Sequence, residues 1–105
     1  MKITVIGDGG WGTAIGLLLN ANGHAITLWG PFEDYLKEIR SAGENTRYLK
    51  GVKLPDALRW TANPSEAMAG AELVVLAMPS KFFADVCRTF AGLIPPTIPV
   101  VSLTK

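Results

Sequence analysis

A chain of 105 residues can bury one hydrophobic core and is short for two, so a single domain over 1–105 is expected. Ten basic and nine acidic residues, scattered without runs, leave a net charge of +1, which argues against a nucleic-acid face and against an anionic membrane surface. Cys87 is the only cysteine and His24 the only histidine, which excludes an internal disulfide and leaves no His/Cys cluster for a metal.

The opening Met1-Lys2 leads directly into a strand-like run, 2–6, far shorter than a signal peptide's apolar region or a membrane span, and a cytoplasmic location follows as the expectation. Ile3, Val5 and Ile6 are β-branched and bounded by glycine, as in a buried parallel strand. A helix is predicted over 10–22, with Asn22-Gly23 as a left-handed stop and His24 in the turn beyond it. A strand follows at 25–29. The next helix, 33–42, places Leu36 and Ile39 on one face and Glu33 and Asp34 in the first turn, where the helix dipole favours acids, and Gly43 ends it. Residues 44–56 lack a period and read as an ordered connection.

A short strand is predicted at 58–62. Asn63-Pro64-Ser65-Glu66 then reads as a helix start, with Asn as the N-cap, Pro at the first position and Glu reaching back as in a capping box; Gly70 closes that helix. The run 72–78 is apolar on both faces, as a central parallel strand should be. Ser80 is the expected cap of a helix through 90 whose core face is Phe83, Val86, Cys87 and Phe90, with Cys87 read as a packing residue. A last strand is predicted at 98–103. Strands alternating with helices imply an α/β fold: a Rossmann-type doubly wound parallel sheet with right-handed crossovers.

Between the first strand and the first helix lies Gly7-Asp8-Gly9-Gly10-Trp11-Gly12, a G-x-G-x-x-G spacing in the context that gives it mechanical meaning. Gly7 serves the tight turn. Gly9, without a Cβ, lets a pyrophosphate approach the backbone, and Gly12 lets the helix pack flush on the strand. The unpaired N–H groups of the helix N-terminus then meet the anion. Ligands of such sheets lie at the carboxyl ends of the strands, where 7–12, 29–32, 78–82 and 104–105 converge.

Those four stretches, together with Asn22-Gly23-His24, Leu28-Trp29-Gly30, Glu44 to Leu49, Gly51 to Pro55, Pro79-Ser80 and Ser102-Leu103-Thr104-Lys105, resemble the NAD(P)-dependent glycerol-3-phosphate dehydrogenases of bacterial type along the whole chain. The resemblance implies an N-terminal cofactor domain followed by an α-helical substrate domain that is absent here. It also implies interconversion of dihydroxyacetone phosphate and sn-glycerol 3-phosphate, the supply of a glycerophospholipid precursor. By motif position, Gly10 and Trp11 are implied cofactor contacts, Trp11 being alternatively a packing residue at the domain seam. Phe82 is implied to border the dinucleotide or, on the other reading, to pack in the core. Lys105 is implied to reach both cofactor and substrate, and no catalytic residue is expected within 1–105, because in this family a lysine of the following domain does the acid/base work. The chain alone is therefore expected to be inactive and the full-length protein to form a homodimer. Pro31 and Phe32 stand where a basic residue often holds the 2′-phosphate of NADP, so NAD is preferred over NADP. Another two-domain Rossmann dehydrogenase, of 3-hydroxyacyl or ketopantoate type, and a non-catalytic nucleotide-sensing module are the alternatives.

Overall fold

The computed structural model describes residues 1–103. Five strands and four helices follow in the order β1 (Lys2–Ile6), α1 (Gly10–Ala21), β2 (Ala25–Trp29), α2 (Glu33–Ala42), β3 (Arg59–Thr61), α3 (Pro64–Met68), β4 (Leu73–Leu76), a 3-10 turn (Ser80–Phe82), α4 (Phe83–Phe90) and β5 (Val100–Ser102). All strand pairs are parallel and the sheet order is β3-β2-β1-β4-β5, so the chain winds outward from β1 in both directions. That is the doubly wound order expected from the alternation of elements.

The pleat divides the core in two. Ile3, Val5, Ile26, Leu28 and Val75 face the layer that contains Leu36 and Ile39 of α2, while Ile6, Trp29, Val74 and Leu76 face the layer holding Ala67, Met68 and Phe90. Period-two alternation within uniformly apolar strands thus feeds both sheet faces, as a sheet covered on both sides requires. On the second face Trp29 meets Phe90 edge-on with ring centroids 5.0 Å apart, and its Nε1 donates to the Ala62 carbonyl at 3.0 Å. Thr4, fully buried between strands, donates to the Ala67 carbonyl at 2.5 Å and so ties α3 to β1. No helix among the described residues is long and apolar enough to cross a membrane.

Several local expectations are corrected. The last three strands are shorter than their apolar runs, although sheet hydrogen bonds continue past them from Ala77 N to the Ile6 carbonyl and from Leu103 N to the Leu76 carbonyl. The Asn63 side chain does cap α3, accepting from Glu66 N at 3.1 Å, but Glu66 does not return to the Asn63 N–H. Thr61 intervenes: its hydroxyl accepts from Asn63 N and donates to the Glu66 carboxylate at 2.9 Å, closing the box through a third residue. Ser80 makes no capping bond; Pro79 precedes a 3-10 turn and α4 begins only at Phe83. Cys87 is exposed: α4 turns buried Phe90 and half-buried Phe83 and Val86 toward the sheet, and a residue four beyond Phe83 sits roughly 40° from it on the side away from Val86.

Candidate functional site

The two helical layers part at the carboxyl ends of β1 and β4, the point where the winding reverses, and there the surface opens into a cleft of about 820 Å3. Its walls are the glycine turn after β1, Pro31 and Phe32 after β2, Met78, Pro79, Ser80 and Phe82 after β4, and Arg47-Tyr48 from the long connection. Both the volume and the placement suit a nucleotide-sized ligand.

The glycines of the turn are there for different reasons. Gly7 has φ +137°, and a methyl group built on it would come within 2.3 Å of the Ala77 carbonyl oxygen. A Cβ at Gly12 would lie 2.3 Å from the Gly7 carbonyl oxygen, and one at Gly10 would lie 2.6 Å from that of Tyr48. Those three positions are closed to side chains by the protein itself. Gly9 is different: its φ of −76° suits any residue, and nothing lies within 4 Å of a Cβ built there. It is also the N-cap of α1, contributes no side-chain cap, and is followed by a first turn without acids. The first i to i−4 bond of α1 is Thr13 N to the Gly9 carbonyl, which leaves the N–H groups of Gly10, Trp11 and Gly12 without intrahelical partners and the helix N-terminus ready for an anion.

A strap holds this turn in shape. Asn45, fully buried in the 44–56 connection, donates from Nδ2 to the Asp8 carbonyl at 2.7 Å and to Thr13 Oγ1 at 2.9 Å. Its Oδ1 accepts from the Tyr35 hydroxyl and from Tyr48 N. One side chain thereby joins the glycine turn, α1, α2 and the connection, using both of its amide hydrogens and its oxygen. Tyr35 is buried beneath, with Tyr48 edge-on at 6.0 Å and the Arg47 guanidinium 4.7 Å from its ring centroid; burial, chiefly, pushes its hydroxyl above the ordinary value of 10.0. The stretch 44–49 was a family marker in the sequence, yet Asn45 and Tyr35 carried no site expectation. A lone Asn in an aperiodic polar stretch has no signature that separates it from a solvated loop residue.

The rim is aromatic. Trp11, Phe32 and Phe82 line the cleft and are all exposed, which removes the core-packing reading of Phe82, 48% exposed with Lys81 Nζ 5.0 Å from its ring centroid. Pro31 is exposed beside Phe32. Among the described residues, Asp8, Asp34, Glu38 and Arg47 are the charged ones lining it. Burial holds the Asp8 carboxyl above the usual carboxylate value of 3.8, offset only in part by a hydrogen bond from its own backbone N–H. The structure therefore brings together Gly7, Gly9, Gly10, Trp11, Pro31, Phe32 and Phe82 around one cleft, with Gly12 just behind it, and Lys105 lies outside the described residues. His24 sits at the opposite, amino-terminal edge of the strands, within 3.1 Å of the Met1 ammonium through Nδ1.

A family model described as the N-terminus of NAD-dependent glycerol-3-phosphate dehydrogenase matches residues 2–105. Curated glycerol-3-phosphate dehydrogenases (NAD(P)+) are similar over 104 residues: that of Desulfotalea psychrophila is 39% identical, and that of Stenotrophomonas maltophilia strain K279a is 40% identical. The alignments take in 99% of this chain but 31% and 30% of those proteins, so the chain spans about a third of their length. Among solved structures, the crystal structure of glycerol-3-phosphate dehydrogenase from Coxiella burnetii superposes with a TM-score of 0.92 at 29% identity, over 99% of this chain and 32% of that one.

Proposed function

We propose, since the chain belongs to the family of NAD-dependent glycerol-3-phosphate dehydrogenase N-termini, that residues 1–105 form the dinucleotide-binding domain of an enzyme interconverting dihydroxyacetone phosphate and sn-glycerol 3-phosphate. One observation carries the reading. In a turn where Gly7, Gly10 and Gly12 are each required by neighbouring protein atoms, Gly9 is required by none, and the space before it adjoins the uncapped N-terminus of α1. A glycine whose Cβ would meet only empty space beside three unpaired N–H groups is what close approach of a pyrophosphate calls for.

On this reading the N–H groups of Gly10 and Trp11 receive the pyrophosphate, and Pro31, Phe32 and Phe82 border the flat ends of the dinucleotide with apolar surface. Lys105 is the proposed contact to both cofactor and substrate. When bound, the nicotinamide supplies the hydride; this chain's own residues bind and orient it. NAD(H) is preferred over NADP(H), because among the described residues three of the four charged ones lining the cleft are acids and Pro31 and Phe32 offer no cation to a 2′-phosphate. The acid/base group and the grip on the substrate phosphate belong to the two thirds of the relatives' length that this chain does not span. A cytoplasmic location and homodimeric assembly of the full-length protein complete the proposal.

The test is NADH titration of the chain, followed through its fluorescence, together with NADH oxidation assayed with dihydroxyacetone phosphate. Binding without turnover by the chain alone, and turnover by the full-length protein, are expected. Turnover by 1–105 that approaches the full-length rate would place the catalytic group within these residues. Failure of the full-length protein to reduce dihydroxyacetone phosphate would leave the 3-hydroxyacyl, ketopantoate or sensing alternatives.

A further inference from the structure

A dinucleotide fold places an acid at the end of its second strand to receive the hydroxyls of the adenosine ribose. Here β2 ends in Trp29-Gly30-Pro31-Phe32, without one. The neighbouring strand supplies a carboxylate to that place. β1 and β2 run in register as far as Ile6 and Trp29, and Gly7 N donates to the Trp29 carbonyl at 2.9 Å, so Asp8 and Gly30 emerge side by side just beyond the sheet. A methyl group built on Gly30 would stand 2.3 Å from Asp8 Oδ2, 2.7 Å from its Cγ and 3.0 Å from its Cβ. The Asp8 side chain thus lies across the Gly30 α-carbon, and its carboxylate fills the space that a side chain at the end of β2 would take.

We propose that Asp8 is the specificity-determining residue of the cleft: its carboxylate accepts a hydrogen bond from the 2′-hydroxyl of the adenosine ribose of NAD(H) and repels the 2′-phosphate of NADP(H), and Gly30 is the residue that makes room for it. The assignment rests on the dinucleotide reading above and names the group that makes it selective. Both ion pairs among the described residues, Arg40–Glu33 and Arg88–Asp85, exclude Asp8, so no cation there neutralises it. Among the described residues Arg47 is the one basic residue lining the cleft, and its guanidinium is stacked on Tyr35 while Asp34 and Glu38 add negative charge. Asn45 holds the Asp8 carbonyl, not its carboxylate, so the backbone is fixed and the acid remains available to a ligand. A ribose hydroxyl satisfies such a carboxylate; a phosphate dianion does the reverse.

The experiment compares three dinucleotides that differ only at one ribose position: NADH, NADPH, and NADH lacking the adenosine 2′-hydroxyl. Each is titrated at one ionic strength into the chain, into Asp8→Asn, which removes the charge, and into Asp8→Ala, which removes the acceptor, with a thermal melt to confirm folding. The unsubstituted chain is expected to bind NADH at least tenfold more tightly than NADPH and more tightly than the deoxy compound. Asp8→Asn should narrow the NADH/NADPH ratio at least tenfold, and Asp8→Ala should bind NADH and the deoxy compound alike. A cooperative melt in each of the three chains, at or above the temperature of the unsubstituted one, makes either variant sufficient by itself. An unchanged NADH/NADPH ratio in the folded variants, with NADH still bound, overturns the role of Asp8 while leaving the dinucleotide reading standing. Absence of binding by the unsubstituted chain to all three overturns both.

Discussion

Replacing Gly9 with valine separates a ligand requirement from a folding requirement within one turn. Gly9 sits at φ −76° and ψ −173°, an extended conformation open to any residue, and a Cβ there meets nothing within 4 Å. The fold should therefore tolerate the change. A side chain at this position narrows the unfolded ensemble, which contributes about 0.4–1 kcal/mol of stability for Gly→Ala, and exchanging glycine for an aliphatic N-cap gives back a similar amount, well under about 2 kcal/mol. The net change is within about 1 kcal/mol, or a melting shift of roughly 4–8 °C at most for a chain near this size. Gly12→Val, by contrast, forces a Cβ to 2.3 Å from the Gly7 carbonyl oxygen, a collision with backbone that cannot rotate away. Binding should reverse this order of severity. Two methyl groups projecting from Gly9 occupy the approach of a pyrophosphate to the α1 N-terminus, and affinity for NADH should fall more than tenfold, about 1.4 kcal/mol. Isothermal titration with NADH and a melt followed by circular dichroism give both numbers on the same sample. A Gly9→Val chain that melts normally and binds NADH with undiminished affinity would refute the argument, because the open space before Gly9 would then have no ligand in it.

Three further outcomes follow from the site. Asn45→Ala removes the strap and takes the acceptor from the buried Tyr35 hydroxyl and a donor from the Asp8 carbonyl, while Thr13 keeps its bond to the Gly9 carbonyl; at about 1–3 kcal/mol for each unsatisfied group this should lower the melting temperature by roughly 10 °C or more; NADH affinity should fall with it, and an unchanged melt contradicts the strap. For Asp8 the folded state holds its proton more tightly than the unfolded chain, so its contribution to stability is complete below pH 3.8 and lost as the pH rises through the higher folded value. Asp8→Asn should accordingly melt higher than the unsubstituted chain at pH 7, with the gap closing in acid, and a gap of constant size between pH 7 and pH 3 refutes the assignment. Phe32→Arg puts a guanidinium at an exposed position of the cleft where it can pair bidentately with a phosphate, and paired NADH and NADPH titrations should show the preference moving toward NADPH.

The fold was legible because its signals are local. Ile3, Val5 and Ile6 announce a strand, Asn63-Pro64 a helix start and Gly43 a helix end, each from residues within a few positions of one another, and the structure places all three accordingly. Where a local rule failed, a neighbour had displaced it: Thr61, two residues upstream, took the bond that the capping box assigns to Glu66. The interior of the site was not legible, because two of its decisive contacts, Asp8 with Gly30 and Asn45 with the Asp8 carbonyl, join residues 22 and 37 positions apart. Nothing in Leu28-Trp29-Gly30 says that Gly30 is small for the sake of Asp8, and nothing in Asn45-Thr46-Arg47 says that Asn45 is buried against the glycine turn. The motif itself concealed a distinction. In sequence, Gly7, Gly9, Gly10 and Gly12 are the same residue, and the spacing rule assigns ligand contact to the turn as a whole. In three dimensions Gly10 is glycine because the Tyr48 carbonyl presses on it, so the strap that Asn45 anchors and the turn that faces the cleft are one mechanical unit. Loss of either should loosen the other, and the affinity lost in Asn45→Ala, a residue that does not line the cleft, measures how far turn geometry rather than direct contact determines dinucleotide binding.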